Sequence, residues 1–268
     1  MYIMVKPSNT SSFSSPASLP SFQAVRERIE TIPNLGLKRC YQGVYITGSR
    51  IGEFAGLMYP SDPAQATGMH LTVSEDVYTV DLENIDDIAA LRAISLVERG
   101  EEYTMKELSA IREPVAIFHI TTEKRAGFVR HTALPLNQKY DKDGWNQQVY
   151  EYIKSRQGKD EPVFPYYRQQ LYPAAKALFE GFTYPIVTYR SLDDELINAH
   201  QKGFANHALR HERATELRSR YRIKGEMLDA FMGWTKQRGA GGSAMQDRYV
   251  LEPWREAGYF PKLLREWK

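Results

Sequence analysis

The feature that most constrains the fold is one pair of strand-like runs in a chain otherwise dominated by helical periodicity. Residues 115–120 and 128–134 are rich in β-branched and aromatic residues, and they flank a polar turn over residues 121–127. Pro135 closes the second run. This arrangement predicts an antiparallel hairpin packed among helices. The expected fold class is therefore α+β, mainly α, with a small antiparallel sheet.

Apolar residues recur at helical spacing through most of the remaining chain. Ser21 can cap the first helix, Gly48 can end the second, and Thr104 with Glu107 forms a capping box for a short one. A further short hairpin is expected over residues 69–82. Helices are predicted over residues 21–32, 35–46, 50–58, 85–97, from 104 onwards, and over 144–156, 166–179, 192–200, 205–221, 225–231 and 254–267.

The composition excludes several classes of protein. The chain has 268 residues, of which 42% are hydrophobic and 25% charged. These are globular values, and no run of about 18 apolar residues could span a bilayer. The single cysteine, Cys40, cannot form an internal disulfide and is a poor metal site by itself. Residues 1–19 are rich in serine and proline, lack the pattern of a secretory signal, and predict a disordered tail. A cytoplasmic protein without membrane contact is expected.

The net charge of +2 hides a segregation along the chain. Residues 75–113 hold eleven acidic and four basic residues, a net charge of −7. Residues 202–238 hold nine basic and four acidic residues, a net charge of +5. A basic block of this kind suits a polyanion-binding face, and a solvated helix face is the alternative.

Three separated segments carry residue types that suit phosphate chemistry. Residues 47–53 read TGSRIGE, residues 207–215 read HALRHERAT and residues 231–234 read FMGW. Tyr249 follows the third segment. Each short pattern is common by chance, and their order along about 200 residues is the specific signal.

Together these segments resemble the boxes of the tyrosine recombinases, also called phage integrases. That family carries a T-G-x-R-x-x-E box, an H-x-L-R-H box followed by A-T, a G-H or G-W dipeptide, and then a tyrosine. All are found here in the same order. The arginine preceding A-T and the Gly-Trp pair resemble the archaeal and archaeal-virus branch. The resemblance implies the recombinase catalytic fold, with DNA cleaved and rejoined through a 3′-phosphotyrosyl intermediate and no metal or other cofactor.

The resemblance also implies catalytic roles. Tyr249 would be the nucleophile, while Arg50 and Arg210 would clamp the phosphate, because a guanidinium donates two parallel hydrogen bonds and stays charged. His207 would either assist proton transfer from the tyrosine or hold the phosphate. Trp234 stands where the family more often has histidine. Its indole N–H can donate a hydrogen bond but cannot move a proton.

Supporting roles follow from the same resemblance. Lys124, at the turn of the predicted hairpin, would be the general acid for the leaving 5′ oxygen, with Arg125 and Lys139 as rivals. Glu53 would be structural, pairing with an arginine or capping within the first box, and His211 would support the site without reacting.

Six further basic residues would contact DNA phosphates without sequence preference or face solvent. They are Arg213, Arg218, Arg220, Arg222, Lys236 and Arg238.

The chain departs from the family pattern in three places. An acidic insertion at about residues 63–113 separates Arg50 from Lys124, and is expected to project away from DNA or to mask the basic face. Glycines between Trp234 and Tyr249 could form a tether that delivers the tyrosine to its own site or to that of a neighbouring subunit. Only 49 residues precede Arg50, too few for the clamping domain usual in the family. Residues 20–268 are expected to form the catalytic domain without this clamp. The chain would then be a catalytic domain alone, a truncated gene product or a variant that clamps DNA in another way.

The leading interpretation is a site-specific DNA recombinase or integrase. Its partner would be double-stranded DNA, bound as a homotetramer on two synapsed duplexes, with a monomer in the absence of DNA left open. Two alternatives remain: a DNA-relaxing enzyme similar to type IB topoisomerases, and a DNA-binding module that has lost catalysis. Tyr259 is the rival nucleophile to Tyr249.

Overall fold

A computed structural model describes residues 20–66, 68–123, 128–187, 199–223 and 225–234. The described part combines helices with two small antiparallel sheets. The helices are α1 Phe22–Glu30, α2 Leu35–Thr47, α3 Ile85–Arg99, α4 Met105–Ser109, α5 Trp145–Lys154, α6 Arg168–Leu178, α7 Asn206–Ser219 and α8 Glu226–Met232. The strands are β1 Leu71–Thr79, β2 Arg112–Thr121, β3 Val129–Pro135, β4 Thr183–Val187 and β5 Ala199–Gly203.

The larger sheet has the strand order β1-β2-β3, and both pairings are antiparallel. Val73 lies opposite Phe118, which in turn lies opposite Thr132. These three side chains share one face of the sheet, because the residues at paired positions point the same way. All three are at most 6% exposed. This face of the sheet therefore packs on the helical core.

Helix α2 forms the centre of the helical layer. Every residue from Cys40 to Thr47 is buried, so the second half of this helix is surrounded on all sides. Tyr45 meets Trp145 of α5 edge to face, with ring centroids 6.0 Å apart. Its hydroxyl donates to the Glu216 carboxylate of α7 over 3.2 Å. The C-terminal end of α2, where the first sequence motif begins, is thus held by α5 and α7.

Several sequence-based predictions are confirmed. The side chain of Ser21 accepts a hydrogen bond from the Ala24 N–H at the start of α1. Gly48 ends α2 in the left-handed region, at φ 61°. Thr104 and Glu107 form the capping box of α4. The hairpin of β2 and β3 lies where the two strand-like runs predicted it.

Other predictions are wrong. Residues 50–58 were expected to form a helix but contain only the short 3-10 helix Ile51–Glu53. The Glu53 carboxylate folds back to accept the Arg50 N–H, and Phe54 is buried in a stack on Phe164. Residues 69–82 form no hairpin, and instead provide the single strand β1. His200, predicted helical, lies in β5, and the sheet of β4 and β5 was not predicted.

The acidic segment of residues 63–113, expected to be an insertion, is part of the fold. Its first half provides β1, the outer strand of the larger sheet, with Leu71 fully buried. Its second half provides α3 and α4. Arg99, near the end of α3, pairs with Glu101 and Glu107 at 2.7 and 3.1 Å. Some of the acidic side chains are therefore balanced by basic residues within this acidic segment.

Within the described ranges, no helix is both long and apolar enough to cross a membrane. In the same ranges, no cluster of three or more histidine, cysteine, aspartate or glutamate side chains could hold a metal ion. Cys40 is fully buried in α2, and burial raises the pKa of its thiol well above the usual range.

Candidate functional site

The first and second sequence motifs meet at the side chain of Glu53. Glu53 is fully buried, and its Oε1 accepts a hydrogen bond from Nη1 of Arg50 over 2.7 Å. Nη1 of Arg210, from α7, lies 4.0 Å from the other carboxylate oxygen. The fold therefore brings together two arginines that are 160 residues apart in sequence.

Burial by itself would raise the pKa of the Glu53 carboxyl. The cations of Arg130 and Arg210 and the hydrogen bonds from Arg50 outweigh burial, and the pKa is lowered. Glu53 is therefore ionised at neutral pH. It also caps the 3-10 helix through the main-chain N–H of Arg50, at 2.9 Å. One carboxylate thus fixes both the backbone and the guanidinium of Arg50.

Arg210 is buried, with 2% of its surface exposed. Its guanidinium donates to the carbonyl oxygens of Gly48 and Met232. Burial, followed by the nearby cations of Arg130 and Arg50, lowers the pKa of Arg210 to about 9. The side chain is still charged at neutral pH. It lies in an unusually positive environment, which an anionic ligand would relieve.

Arg130, on β3, is a site residue that the sequence analysis missed. Its guanidinium donates to the carbonyl oxygen of Thr47 over 2.9 Å and to that of Phe231 over 2.5 Å. Its Nη2 reaches the Ser49 hydroxyl at 2.5 Å and Glu53 Oε2 at 3.5 Å. The signal in the sequence is weak but real. Arg130 precedes Thr132 and Leu134 by two and four residues, so it lies on the same face of β3 as these two buried residues.

Among the described residues at this point, three guanidinium groups surround one carboxylate. The local charge of this cluster is +2. The side chains of Arg130 and Arg210 are 2% and 3% exposed, whereas that of Arg50 is 18% exposed. Arg50 is therefore the cation through which an anion from solvent would first reach the cluster. A cluster with excess positive charge, open on one side, suits a phosphate group.

Trp234 follows α8 and lies beside this cluster. The Arg210 guanidinium carbon is 5.8 Å from the centre of the indole ring, which belongs to a residue 41% exposed. Gly233 precedes the tryptophan and has a φ of 64°, in the left-handed region that favours glycine. A Cβ at this position would lie only 2.8 Å from Cδ of Arg130. The third sequence motif therefore needs its glycine for both backbone conformation and space.

The two histidines of the second motif lie on the exposed side of α7. The rings of His207 and His211 meet edge to face, with centroids 4.7 Å apart. His211 also stacks on Tyr184, at 5.7 Å. Partial burial and the Arg210 cation lower the pKa of His211. This histidine is therefore neutral at pH 7 and held by two rings, while its neighbour faces outwards.

Four residues of the predicted site lie outside the described residues. They are Lys124, Tyr249, Lys236 and Arg238. Glu123, the last described residue before Lys124, lies close to the arginine cluster, because its main-chain N–H is 3.4 Å from Oε1 of Glu53. The described end of the hairpin thus lies at the cluster.

The prediction that Arg213 contacts DNA or faces solvent is wrong. Only 4% of this residue is exposed, and its guanidinium donates to Glu216 over 2.6 Å and to the Ile46 carbonyl over 3.0 Å. Arg220 is partly buried and also pairs with Glu216, at 3.2 Å. Arg218 and Arg222 are exposed. The +5 block is therefore divided between buried ion pairs and surface cations.

Comparison of the chain with family models, with curated proteins and with solved structures finds no match. Any functional assignment therefore depends on the motif residues and on the geometry of the arginine cluster.

Proposed function

We propose that this protein is a site-specific DNA recombinase that cleaves and rejoins DNA through a tyrosyl phosphodiester. One observation carries the proposal: Arg50 and Arg210, from two separate motifs, converge on the Glu53 carboxylate. The position of Trp234, 5.8 Å from Arg210, adds the third motif to the same place. The chemistry that unites them is the recognition of a phosphate group.

In this proposal the scissile phosphate binds against Arg50 and Arg210. Their positive charge offsets the extra negative charge that develops on the non-bridging oxygens in the pentacoordinate transition state. Glu53 holds the Arg50 side chain at 2.7 Å before DNA arrives, so less conformational freedom is lost on binding. The lowered pKa of Arg210 also favours phosphate binding. Burial and neighbouring cations destabilise its charged form, and a bound phosphate would stabilise that form.

Tyr249 is the proposed nucleophile. Its phenolic oxygen attacks phosphorus, the bond from phosphorus to the 5′ oxygen breaks, and the proton of the tyrosine passes to His207 or to solvent. Lys124 gives a proton to the leaving 5′ oxygen, which becomes a free hydroxyl. Trp234 donates its indole N–H to a phosphate oxygen. The 3′-phosphotyrosyl ester conserves the energy of the bond, so attack by a second 5′ hydroxyl rejoins DNA without ATP.

Arg130 acts in this proposal without touching DNA. It donates to the chain immediately before Arg50, at Thr47 and Ser49, and to the chain before Trp234, at Phe231. It is therefore a positioning residue, which holds the phosphate-facing segments in register with each other.

The test is the formation of a covalent complex on a nicked suicide substrate. Because the target sequence is not specified by the site, the substrate is a duplex pool randomised around the nick, from which covalent complexes are captured after denaturation and sequenced. The wild type and Tyr259→Phe should form a complex and Tyr249→Phe should not. The variant Arg210→Ala should lose about 100-fold or more in rate. Absence of any complex with the wild type, or a complex that persists in Tyr249→Phe, would contradict the proposal.

A further inference from the structure

A second cationic site lies beside α7, where one of its lining residues, Arg213, follows Arg210 by about one helical turn. A cavity of about 270 Å³ opens between α1, α7 and the loop before α5. The described residues that line it include five cations and two carboxylates: Arg26, Lys139, Lys142, Arg213, Arg220, Asp141 and Asp143. The cavity shares no lining residue with the arginine cluster around Glu53.

The charges around the cavity do not balance. Glu216 lies against three of the arginines, at 3.6 Å from Arg26, 2.6 Å from Arg213 and 3.2 Å from Arg220. Counting Glu216 with the two aspartates, three carboxylates face five cations among the described residues. The excess of two positive charges is confined to a small concave volume, where neighbouring cations repel one another.

Arg26 is fixed in the wall of the cavity. Its guanidinium lies 5.3 Å from the centre of the Tyr45 ring and 5.0 Å from that of Trp145, and its Nη1 pairs with Asp143 at 2.5 Å. Its Nε is buried and has no hydrogen-bond partner. A buried donor without a partner costs free energy.

The volume of the cavity limits the size of the ligand that it can hold. Sites for drug-sized molecules have volumes of about 300–1,000 Å³, so this cavity suits a group no larger than a few linked phosphates. Guanidinium groups bind phosphate oxygens through paired N–H donors, and the two excess positive charges favour a multiply charged anion. Polar and charged residues, including Gln23 and Asn146, make up the larger part of the lining, which favours a polar or charged ligand.

We propose that this cavity binds a small phosphate-containing anion, such as a free phosphate ester or pyrophosphate. The proposal is independent of the assignment of a recombinase activity. Arg213 joins the cavity to the core, because its Nε donates to the carbonyl of Ile46, one residue before the end of α2. A bound anion would therefore stiffen the helix end that precedes Arg50.

The test uses sodium pyrophosphate as the probe and the melting temperature of the full chain as the readout. A ligand bound only to the folded state at a large excess over its Kd should raise the melting temperature by at least about 3 °C. Sodium chloride at matched ionic strength should not do so. Arg26 also pairs with Glu216, so its replacement endangers the fold. The tested variant is therefore K139Q/K142Q, which changes two exposed lysines at the rim.

This variant should lose more than half of the pyrophosphate effect. The matched control K106Q/K159Q removes two exposed lysines elsewhere and should keep all of it. An equal effect of sodium chloride, or equal losses in the two double variants, would overturn the proposal in favour of general electrostatic stabilisation. If a short DNA duplex displaces pyrophosphate from the cavity, the proposal of a small-anion site would be overturned, and the cavity would instead be a binding site for the phosphates of the DNA backbone.

Discussion

Arg130 and Arg210 donate hydrogen bonds to adjacent carbonyl groups on the same two segments of the chain. Arg130, from β3, binds the carbonyls of Thr47 and Phe231, and Arg210, from α7, binds the next carbonyl in each segment. The chain that leads to Arg50 is therefore joined to the chain that leads to Trp234 by two parallel cationic links. The geometry of the proposed phosphate site depends on both links.

Replacing Arg130 by methionine should therefore destabilise the protein by about 3 kcal/mol, because the Glu53 carboxylate and two carbonyls lose a buried partner. Urea denaturation measures this free energy of unfolding. The control is Arg168→Gln, which breaks an ion pair to Glu123 with a 68% exposed arginine side chain. It should cost less than about 1 kcal/mol. Equal costs for the two variants would contradict the role given to Arg130.

Removing the carboxylate should turn the arginine cluster into an anion-dependent element. In Glu53→Gln, three guanidinium groups would face each other without the Glu53 counterion. In sodium chloride, the melting temperature of this variant should therefore be lower than that of the wild type. Sodium sulfate of equal ionic strength should restore it, because sulfate can bind between the arginines. Glu161→Gln changes a carboxylate that pairs with Arg156 at the surface, and should not respond selectively to sulfate. A Glu53→Gln variant as stable as the wild type in both salts would show that the cluster carries no excess charge.

Glu212 should make stability fall as the pH rises. Both of its carboxylate oxygens are buried and have no hydrogen-bond partner among the described residues. Burial, followed by the neighbouring Glu216, raises its pKa from 4.5 to about 8. The folded state thus holds the proton more tightly than the unfolded state does. This contribution is complete below pH 4.5 and is lost as the pH rises to about 8.

Glu212→Gln keeps this position neutral at every pH. Its free energy of unfolding should therefore exceed that of the wild type by roughly 2 kcal/mol at pH 9, with little difference at pH 5. Urea denaturation at the two pH values measures this difference. Glu151→Gln, at an exposed position of α5, is the matched control and should show no such pH dependence. A gap between Glu212→Gln and the wild type that is the same at both pH values would argue against the titration of Glu212.

His119 should make the protein less stable as the pH falls, which is the opposite of the effect of Glu212. Its Nε2 lies 2.7 Å from the Ser74 hydroxyl and its Nδ1 lies 2.7 Å from Nδ1 of His131. Burial, followed by the charges of His131 and His70, lowers the pKa of His119 from 6.5 to about 4. The unfolded state therefore binds the proton first. Stability is complete above pH 6.5 and is lost as the pH falls to about 4.

An NMR titration of the histidine ring protons tests this directly. The His119 signal should still be that of a neutral ring at pH 5.5. The variant His119→Gln should lose less stability than the wild type between pH 6.5 and 4.5. A His119 midpoint near 6.5 would contradict the buried, hydrogen-bonded arrangement.

Local signals in the sequence were enough to predict the ends of helices and the central hairpin. A capping serine, a left-handed glycine and a capping box act within three or four residues, and all three were found where expected. The wrong predictions lie where contacts between distant segments determine the local structure. Residues 50–58 have helical periodicity, but Phe54 packs on Phe164 and the Glu53 side chain turns back on Arg50.

The candidate site divides in the same way. Motif order predicted Arg50 and Arg210, because those residues belong to short recognisable patterns. It could not predict Arg130, whose partners lie 83 and 101 residues away. It also misassigned Arg213, because a basic residue in a basic block looks exposed in sequence. Its burial depends on Glu216 and on the end of α2.

The most direct test of the central claim is the identity of the residue that carries DNA after cleavage. The covalent complex from the suicide substrate is digested with protease and nuclease, and the modified peptide is sequenced by mass spectrometry. The account predicts a single nucleotide 3′-phosphate on Tyr249, together with a free 5′-hydroxyl on the released strand. A phosphate on Tyr259 or on any other residue, or a 5′-phosphate on the released strand, would contradict it.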